Sequence, residues 1–159
     1  SIGMRKVERA EDLQPAYEFA AQYDSEIIAE KWVTGKEYTI VILGNKALPI
    51  IRLQPHQSHG FYDFEAKYNA NDTQYLCPCG LSDEDEQALQ ALALRAFDMV
   101  GATGWGRIDA MRDEQGNFWL LEVNTVPGMT DHSLVPMAAK AAGLSFEQLV
   151  LTILAQTNK

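Results

Sequence analysis

The sequence predicts an α+β fold in which a mixed, largely antiparallel sheet is packed with helices. Three observations predict it. Strand-like residues 37–43 and 46–53 flank Gly44-Asn45, and strand-like residues 105–112 and 117–124 flank Asp113-Glu114-Gln115-Gly116; both connections are turn chemistry, so each pair reads as a hairpin. Capped amphipathic segments lie before, between and after these hairpins, so strands and helices alternate.

Taken in order, Glu11-Asp12 opens a helix that runs to about Tyr23, with Pro15 tolerated in its first turn. Residues 25–32 read as a strand, 37–43 as another, and 46–53 as its hairpin partner. Residues 54–80 are long, polar and turn-rich, the type of loop that is usually functional. Ser82-Asp83-Glu84-Asp85 is a capping signature, and the helix after it places Leu89, Leu92, Ala93, Ala96, Phe97 and Val100 on an apolar stripe ending at Gly101. After the second hairpin, helices are predicted over 133–142 and 145–156, the second with Ser145 and Gln148 as a capping pair.

With 159 residues, 47% of them apolar and 22% charged, the chain can bury one core or one lobe of something larger. No apolar run reaches membrane-spanning length, and the first residues lack a signal-peptide pattern. A net charge of −9 argues against a nucleic-acid backbone as partner, although divalent cations and a few lysines can still accommodate a nucleotide. Cys77 and Cys79 are too few for a structural zinc site and too close for a structural disulfide, so they read as reduced loop thiols of a cytosolic protein. His56 and His59 read as surface loop residues.

The chemistry concentrates on the second hairpin. Side chains alternate along a strand, so Arg107 and Asp109 share one face, as do Glu122 and Asn124. If those faces coincide, two carboxylates, an amide oxygen and a guanidinium converge, and such hard oxygens suit Mg²⁺ in phosphoryl transfer. Acidic residues on a hairpin are more often its solvated face. Here Glu122 follows the apolar run Phe118-Trp119-Leu120-Leu121, expected to be partly buried, where an unpaired carboxylate is costly. Gly128 then allows close backbone approach to a ligand, and Ser133-Leu134-Val135-Pro136 reads as an N-cap opening a helix, a ready anion site.

These residues resemble the C-terminal part of the ATP-grasp enzymes, and among them the D-alanine–D-alanine ligase family. The resemblance covers essentially the whole chain. It is carried by Ser1-Ile2-Gly3-Met4, Glu30-Lys31-Trp32-Val33 with Glu37, and Phe61-Tyr62-Asp63-Phe64-Glu65-Ala66-Lys67-Tyr68. It continues through Gly104-Trp105-Gly106-Arg107-Ile108-Asp109, Glu122-Val123-Asn124-Thr125, Pro127-Gly128-Met129-Thr130 and His132-Ser133-Leu134-Val135-Pro136. The metal-type pattern indicates only the superfamily; the Glu-Ala-Lys-Tyr and His-Ser-Leu-Val-Pro segments narrow it to the ligases.

The resemblance implies ATP-dependent joining of two D-alanines through an acyl phosphate, for peptidoglycan precursor synthesis in the cytoplasm. It assigns residues 1–29 to the tail of a central lobe and 30–159 to the C-terminal lobe, with ATP between them. Glu30, Lys31, Trp32 and Val33 would present backbone groups to adenine, Glu37 would accept the ribose hydroxyls, and Lys67 would meet the transferred phosphate. Asp109, Glu122 and Asn124 would hold two Mg²⁺ ions, for which Mn²⁺ can substitute. Arg107 and the Gly128 N–H would stabilise the oxyanion, while Ser133 and the Leu134 N–H would take the second substrate's carboxylate. Tyr68 would belong to a loop closing over the site; ligases that make D-alanyl-D-lactate lack a tyrosine there.

The resemblance further implies a homodimer for the full-length protein. It also implies that a substrate domain and most of the central lobe precede residue 1, making this chain a fragment without activity of its own. Read without the family, Glu37 is a solvated strand-edge carboxylate, Arg107 an ion-pair partner of Asp109, Lys67 an exposed lysine and Tyr68 a half-buried loop aromatic. Two other functions stay open: another ATP-grasp carboxylate–amine ligase, or an isolated nucleotide-binding lobe without catalysis.

Overall fold

The computed structural model describes residues 2–54 and 73–156. Their sheet is entirely antiparallel. Strands β1 (Gly35–Leu43), β2 (Lys46–Ala47), β3 (Ile51–Gln54), β4 (Gln74–Leu76), β5 (Trp105–Asp113) and β6 (Phe118–Asn124) lie in the order β4-β3-β1-β5-β6, with β2 also on β1. The helices are α1 (Leu13–Ala20), α2 (Asp83–Met99), α3 (Leu134–Ala141) and α4 (Phe146–Gln156).

Successive side chains on β1 enter opposite cores. Tyr38, Ile40 and Ile42 pack with Ile108, Ala110 and the α2 residues Leu89, Ala93 and Phe97. Val41 and Leu43 pack with Val135, Ala138 and Ala139 of α3 and Leu149 of α4. The near-continuous apolar run of β1 follows from this, because a strand covered on both faces has no polar side to present. Truncating Leu89 or Leu149 to Ala would cost about 2–5 kcal/mol.

Helix α2 starts as its capping signature requires: Ser82 Oγ accepts from the Asp85 N–H at 3.2 Å. Its stripe is narrower than the periodicity predicts, since Val100 is exposed past the last turn. The Ser145/Gln148 capping box is complete, with the Ser145 N–H donating to Gln148 Oε1 at 2.8 Å and the Gln148 N–H to Ser145 Oγ at 3.2 Å. The first helix ends at Ala20, and single turns carry the chain to Tyr23.

Two strand expectations are corrected. Residues 25–32 form no strand: no partner ladder lies beside them among the described residues, and Ile28 is 83% exposed. Extended backbone without a neighbour has nowhere to place its N–H and C=O groups except water. The predicted strand over 46–53 is broken at 48–50. Pairing runs Ile42 with Ala47 before the break but Thr39 with Ile51 after it, one residue out of step. Pro49 cannot donate to the ladder, and the bulge puts Leu48 and Ile51 in the same core and Ile50 in the other. Helix α2 completes the bulge's hydrogen bonding: Gln90 Nε2 donates to the Leu48 carbonyl (3.3 Å), and the Ile50 N–H donates to Glu86 Oε1 (3.4 Å).

Close approach explains two glycines. A Cβ on Gly35 would run into the Arg112 carbonyl oxygen, where β1 meets β5. A Cβ on Gly106 would lie 2.6 Å from the Phe97 ring and 3.0 Å from the Asn124 carbonyl oxygen, so α2 sits on β5 only because that residue has no side chain. Gly106→Ala is therefore expected to destabilise. Overpacking of about 1–3 kcal/mol outweighs the roughly 0.4–1 kcal/mol gained by restricting the unfolded chain. A lower urea midpoint at unchanged slope checks it.

The turn between β5 and β6 is organised by Asp113. Its carboxylate accepts from Trp119 Nε1 (2.8 Å), Asn117 Nδ2 (3.1 Å) and the Asn117 N–H (2.7 Å). These bonds, the indole's first, hold its pKa down to about 2. A carboxyl whose folded pKa is depressed contributes stability above its ordinary value near 3.8, and that contribution disappears as pH falls through about 2. The Trp119 indole proton resonance should accordingly stay constant down to pH 4 and titrate with a midpoint near 2. A midpoint at the ordinary value would remove the bond.

Candidate functional site

β5 contributes the site, and its register with both neighbours decides what the site contains. Asp109 stands opposite Thr39 of β1 and opposite Glu122 of β6; Arg107 stands opposite Val41 and Asn124. Arg107, Asp109, Glu122 and Asn124 therefore share the face that α3 and α4 cover further along, where Trp105 packs into their core. Glu37 is on this face too, half-buried, one alternation beyond Thr39 and opposite Met111. A register shift between Asp109 and Ala110 leaves Leu121 outside the pairing on β6, so that 118–120 and 122–124 can each keep theirs.

Asp109 is buried, and its oxygens are fully engaged. Thr39 Oγ1 donates to Oδ1 at 2.5 Å, Arg107 Nε donates to Oδ1 at 2.9 Å, and Arg107 Nη2 donates to Oδ2 at 2.7 Å. A buried carboxylate without such partners would be costly, and a forked guanidinium supplies the best geometry for it. Arg107 Nη2 also stands 3.7 Å from Glu122 Oε1. The ion pair anticipated for Arg107 and Asp109 is present.

The run before Glu122 is buried in part, as expected, at Phe118 and Trp119, but the Glu122 side chain is 55% exposed, against 11% for Asp109 and 17% for Arg107. The reason is the end of that run. β6 is an edge strand whose Leu120 and Leu121 are themselves exposed, so the apolar sequence does not enclose the carboxylate. Asn124 Oδ1 accepts from the Val126 N–H (3.1 Å), turning the chain out of β6 toward Pro127 and Gly128. As donors, two carboxylates and an amide oxygen on one face fit a hard divalent cation, with Arg107 having to yield oxygen lone pairs of Asp109 to it.

Beyond β6, a Cβ on Gly128 would lie 2.9 Å from Ser133 Oγ, so the loop and the start of α3 are in contact. Ser133 holds the N-cap position, yet its hydroxyl turns away from the helix: Oγ accepts from the Thr130 N–H at 2.9 Å. Leu134 starts α3 and packs, with Met129, against the core under that helix.

Residues 30–33 meet the far end of the hairpin. Glu30, Lys31 and Trp32 are exposed and Val33 is half-buried. Lys31 Nζ lies 4.4 Å above the Trp119 ring, and Lys6 Nζ lies 4.8 Å above Trp32. Lys67 and Tyr68, together with His56 and His59, lie outside the described residues. Cys77 and Cys79 carry no disulfide; Cys79 is part of the core, and burial pushes both thiols up.

Two contributors escape sequence reasoning. Thr39 is the one small polar side chain in the apolar and aromatic run Tyr38-Thr39-Ile40-Val41-Ile42-Leu43, and that interruption is the available signal. Trp119 reads in the sequence only as part of an apolar run, although a buried-edge indole needs an acceptor.

The family model for the D-ala D-ala ligase C-terminus matches residues 1–155. The D-alanine–D-alanine ligase of Acinetobacter baylyi is 65% identical over 99% of this chain, and that of a Psychrobacter species is 66% identical over the same share. This chain spans 51% and 47% of their lengths, about half of the curated relatives it matches. Among solved structures, the VanG D-Ala:D-Ser ligase of Enterococcus faecalis superposes with a TM-score of 0.83 at 29% identity, over 97% of this chain and 45% of that one. The D-alanine–D-alanine ligase of Bacillus anthracis complexed with ATP gives 0.81 at 28% identity, over 95% and 47%. With the family's C-terminal model matched almost end to end by a sheet that gathers Arg107, Asp109, Glu122 and Asn124 on one face, this chain belongs to the D-alanine–D-alanine ligase family.

Proposed function

We propose that this chain is the C-terminal, metal- and nucleotide-binding part of an ATP-dependent ligase that joins two D-alanines into D-alanyl-D-alanine. The observation that carries the reading is the direct pairing of Asp109 with Glu122 and of Arg107 with Asn124 on one open face of the sheet. Residues 1–29 then belong to the central lobe and 30–159 to the C-terminal lobe. In support, no described residue before Tyr38 is buried, so the core forms without the first segment.

Making an amide from a carboxylate and an amine requires activating the carboxylate, here by phosphorylation to an acyl phosphate with ATP as the phosphoryl donor. The amine of the second D-alanine then attacks, and phosphate leaves. Two Mg²⁺ ions, with Mn²⁺ able to substitute, supply neutralisation of phosphate charge when bound at Asp109, Glu122 and Asn124. Thr39 keeps Asp109 aimed at the face. Arg107, which lies on that face bonded to Asp109, would stabilise negative charge on the acyl oxygen, aided by the Gly128 N–H. The start of α3 offers backbone amides to the second substrate's carboxylate at Leu134, because the Ser133 hydroxyl is committed to Thr130 rather than to the helix. Residues 30–33 and Glu37 contact the nucleotide, Lys67 meets the transferred phosphate, and Tyr68 shields the site from water. The full-length protein would act in the cytoplasm as a homodimer.

A phosphate-release assay on the full-length protein tests this function: turnover should require D-alanine and ATP and should not occur with L-alanine. D-alanine-independent turnover, or equal turnover with L-alanine, would reject the substrate assignment. Glu122→Gln should leave folding nearly intact, since the side chain is largely exposed and keeps its size. It should nevertheless lower kcat by about 10²–10³-fold, comparable to deleting one electrostatic stabiliser of a transition state. Normal turnover of this variant at limiting Mg²⁺ would take Glu122 out of the metal site.

A further inference from the structure

Residues 25–34 have no strand ladder and no buried side chain among them, so hydrogen bonding of regular structure does not set where residues 30–33 lie. One interaction that ties this segment to the sheet is Lys31 over the Trp119 ring, at 4.4 Å. That ring is itself fixed. Its Nε1 donates to Asp113, whose carboxylate is held in turn by the Asn117 backbone and side chain. Trp119 lies opposite Met111, and therefore on the face that carries Glu37 and Asp109. Residues 31–34, the turn at 113–115 and Trp119 line one shallow pocket. Immediately afterwards the chain passes Gly35, which sits against the Arg112 carbonyl.

We propose that Trp119 is a positioning residue for ATP: its ring, clamped by Asp113, holds Lys31 and so sets the backbone of residues 30–33 where the nucleotide contacts it. This rests on the reading of that segment given above. Trp119 itself touches neither the phosphates nor the amino acids. Its removal acts on nucleotide affinity and leaves the chemistry of acyl phosphate formation in place.

The test uses the full-length ligase. First, ATP should protect the backbone amides of residues 30–33 from hydrogen exchange in the unmodified protein. Trp119→Leu should then raise the KM for ATP about fivefold, while kcat and the KM for D-alanine stay within about twofold. That is the scale of removing one exposed cation–ring interaction together with its support. Trp119→Tyr, which keeps a ring face but lacks the indole N–H that Asp113 accepts, should bring the KM for ATP to between those of Trp119→Leu and the unmodified protein. Lys31→Met should raise it alone but add little in the Trp119→Leu background. Absence of protection at 30–33 would overturn both the nucleotide reading of the segment and this inference. Protection with an unchanged KM for ATP in Trp119→Leu would overturn the inference alone. So would a fall in kcat with KM for ATP intact, which is the mark of a merely structural residue.

Discussion

A carboxylate buried within a sheet has to be satisfied by side chains that the strands bring to it, and Asp109 imposes that condition on this fold. Its partners come from one residue on β1, Thr39, and one on its own strand, Arg107. Only one register of β1 on β5 delivers the threonine hydroxyl to it. A slip of a single residue would point Thr39 at α2 and bring Tyr38 or Ile40 to the charge. The nine-residue pairing from Gly35 with Asp113 to Leu43 with Trp105 thus does more than build the sheet. It fixes which side chains surround the acid and, through β6, which second acid stands beside it.

The two faces of the sheet divide the remaining tasks. One face is closed by α2, brought near by the missing side chain at Gly106 and joined to the broken β2–β3 strand by Glu86 and Gln90. The other is covered by α3 and α4 only in part, so polar residues occupy the stretch beyond Trp105. The sheet is thus closed on one face and partly open on the other, and the polar residues of β5 and β6 lie on the open one. Glu122, on the exposed edge strand, is the more accessible of the two acids. Asp109 is the more constrained, and any cation that uses it must compete with Arg107.

Sequence and structure part company where neighbours in space decide. The hairpin of β5 and β6, the capped start of α2, the Ser145/Gln148 box and the turn at 113–116 are all readable, because each is specified by residues within a few positions of one another. The strand expected at 25–32 has the right residue types, but a strand exists only against a partner, and none is present among the described residues. The break at 48–50 is announced by Pro49, yet which face each isoleucine takes follows from the bulge. Glu122 looks buried by its apolar neighbours and is exposed because β6 is an edge.

Local grammar and the donor set are written in the chain itself: which segments turn, which helices start where, and which oxygens and cations are available on the second hairpin. Spacing along a strand fixes which residues share a face of that strand, and this is a short-range property of the backbone. How the faces of three strands meet is a matter for the folded molecule alone. Registers and side-chain contacts join residues far apart in the chain, as the ladder joins Thr39 to Asp109 and a cation–ring contact joins Lys31 to Trp119. They depend on core packing, bulges and close glycine contacts, which no local pattern encodes.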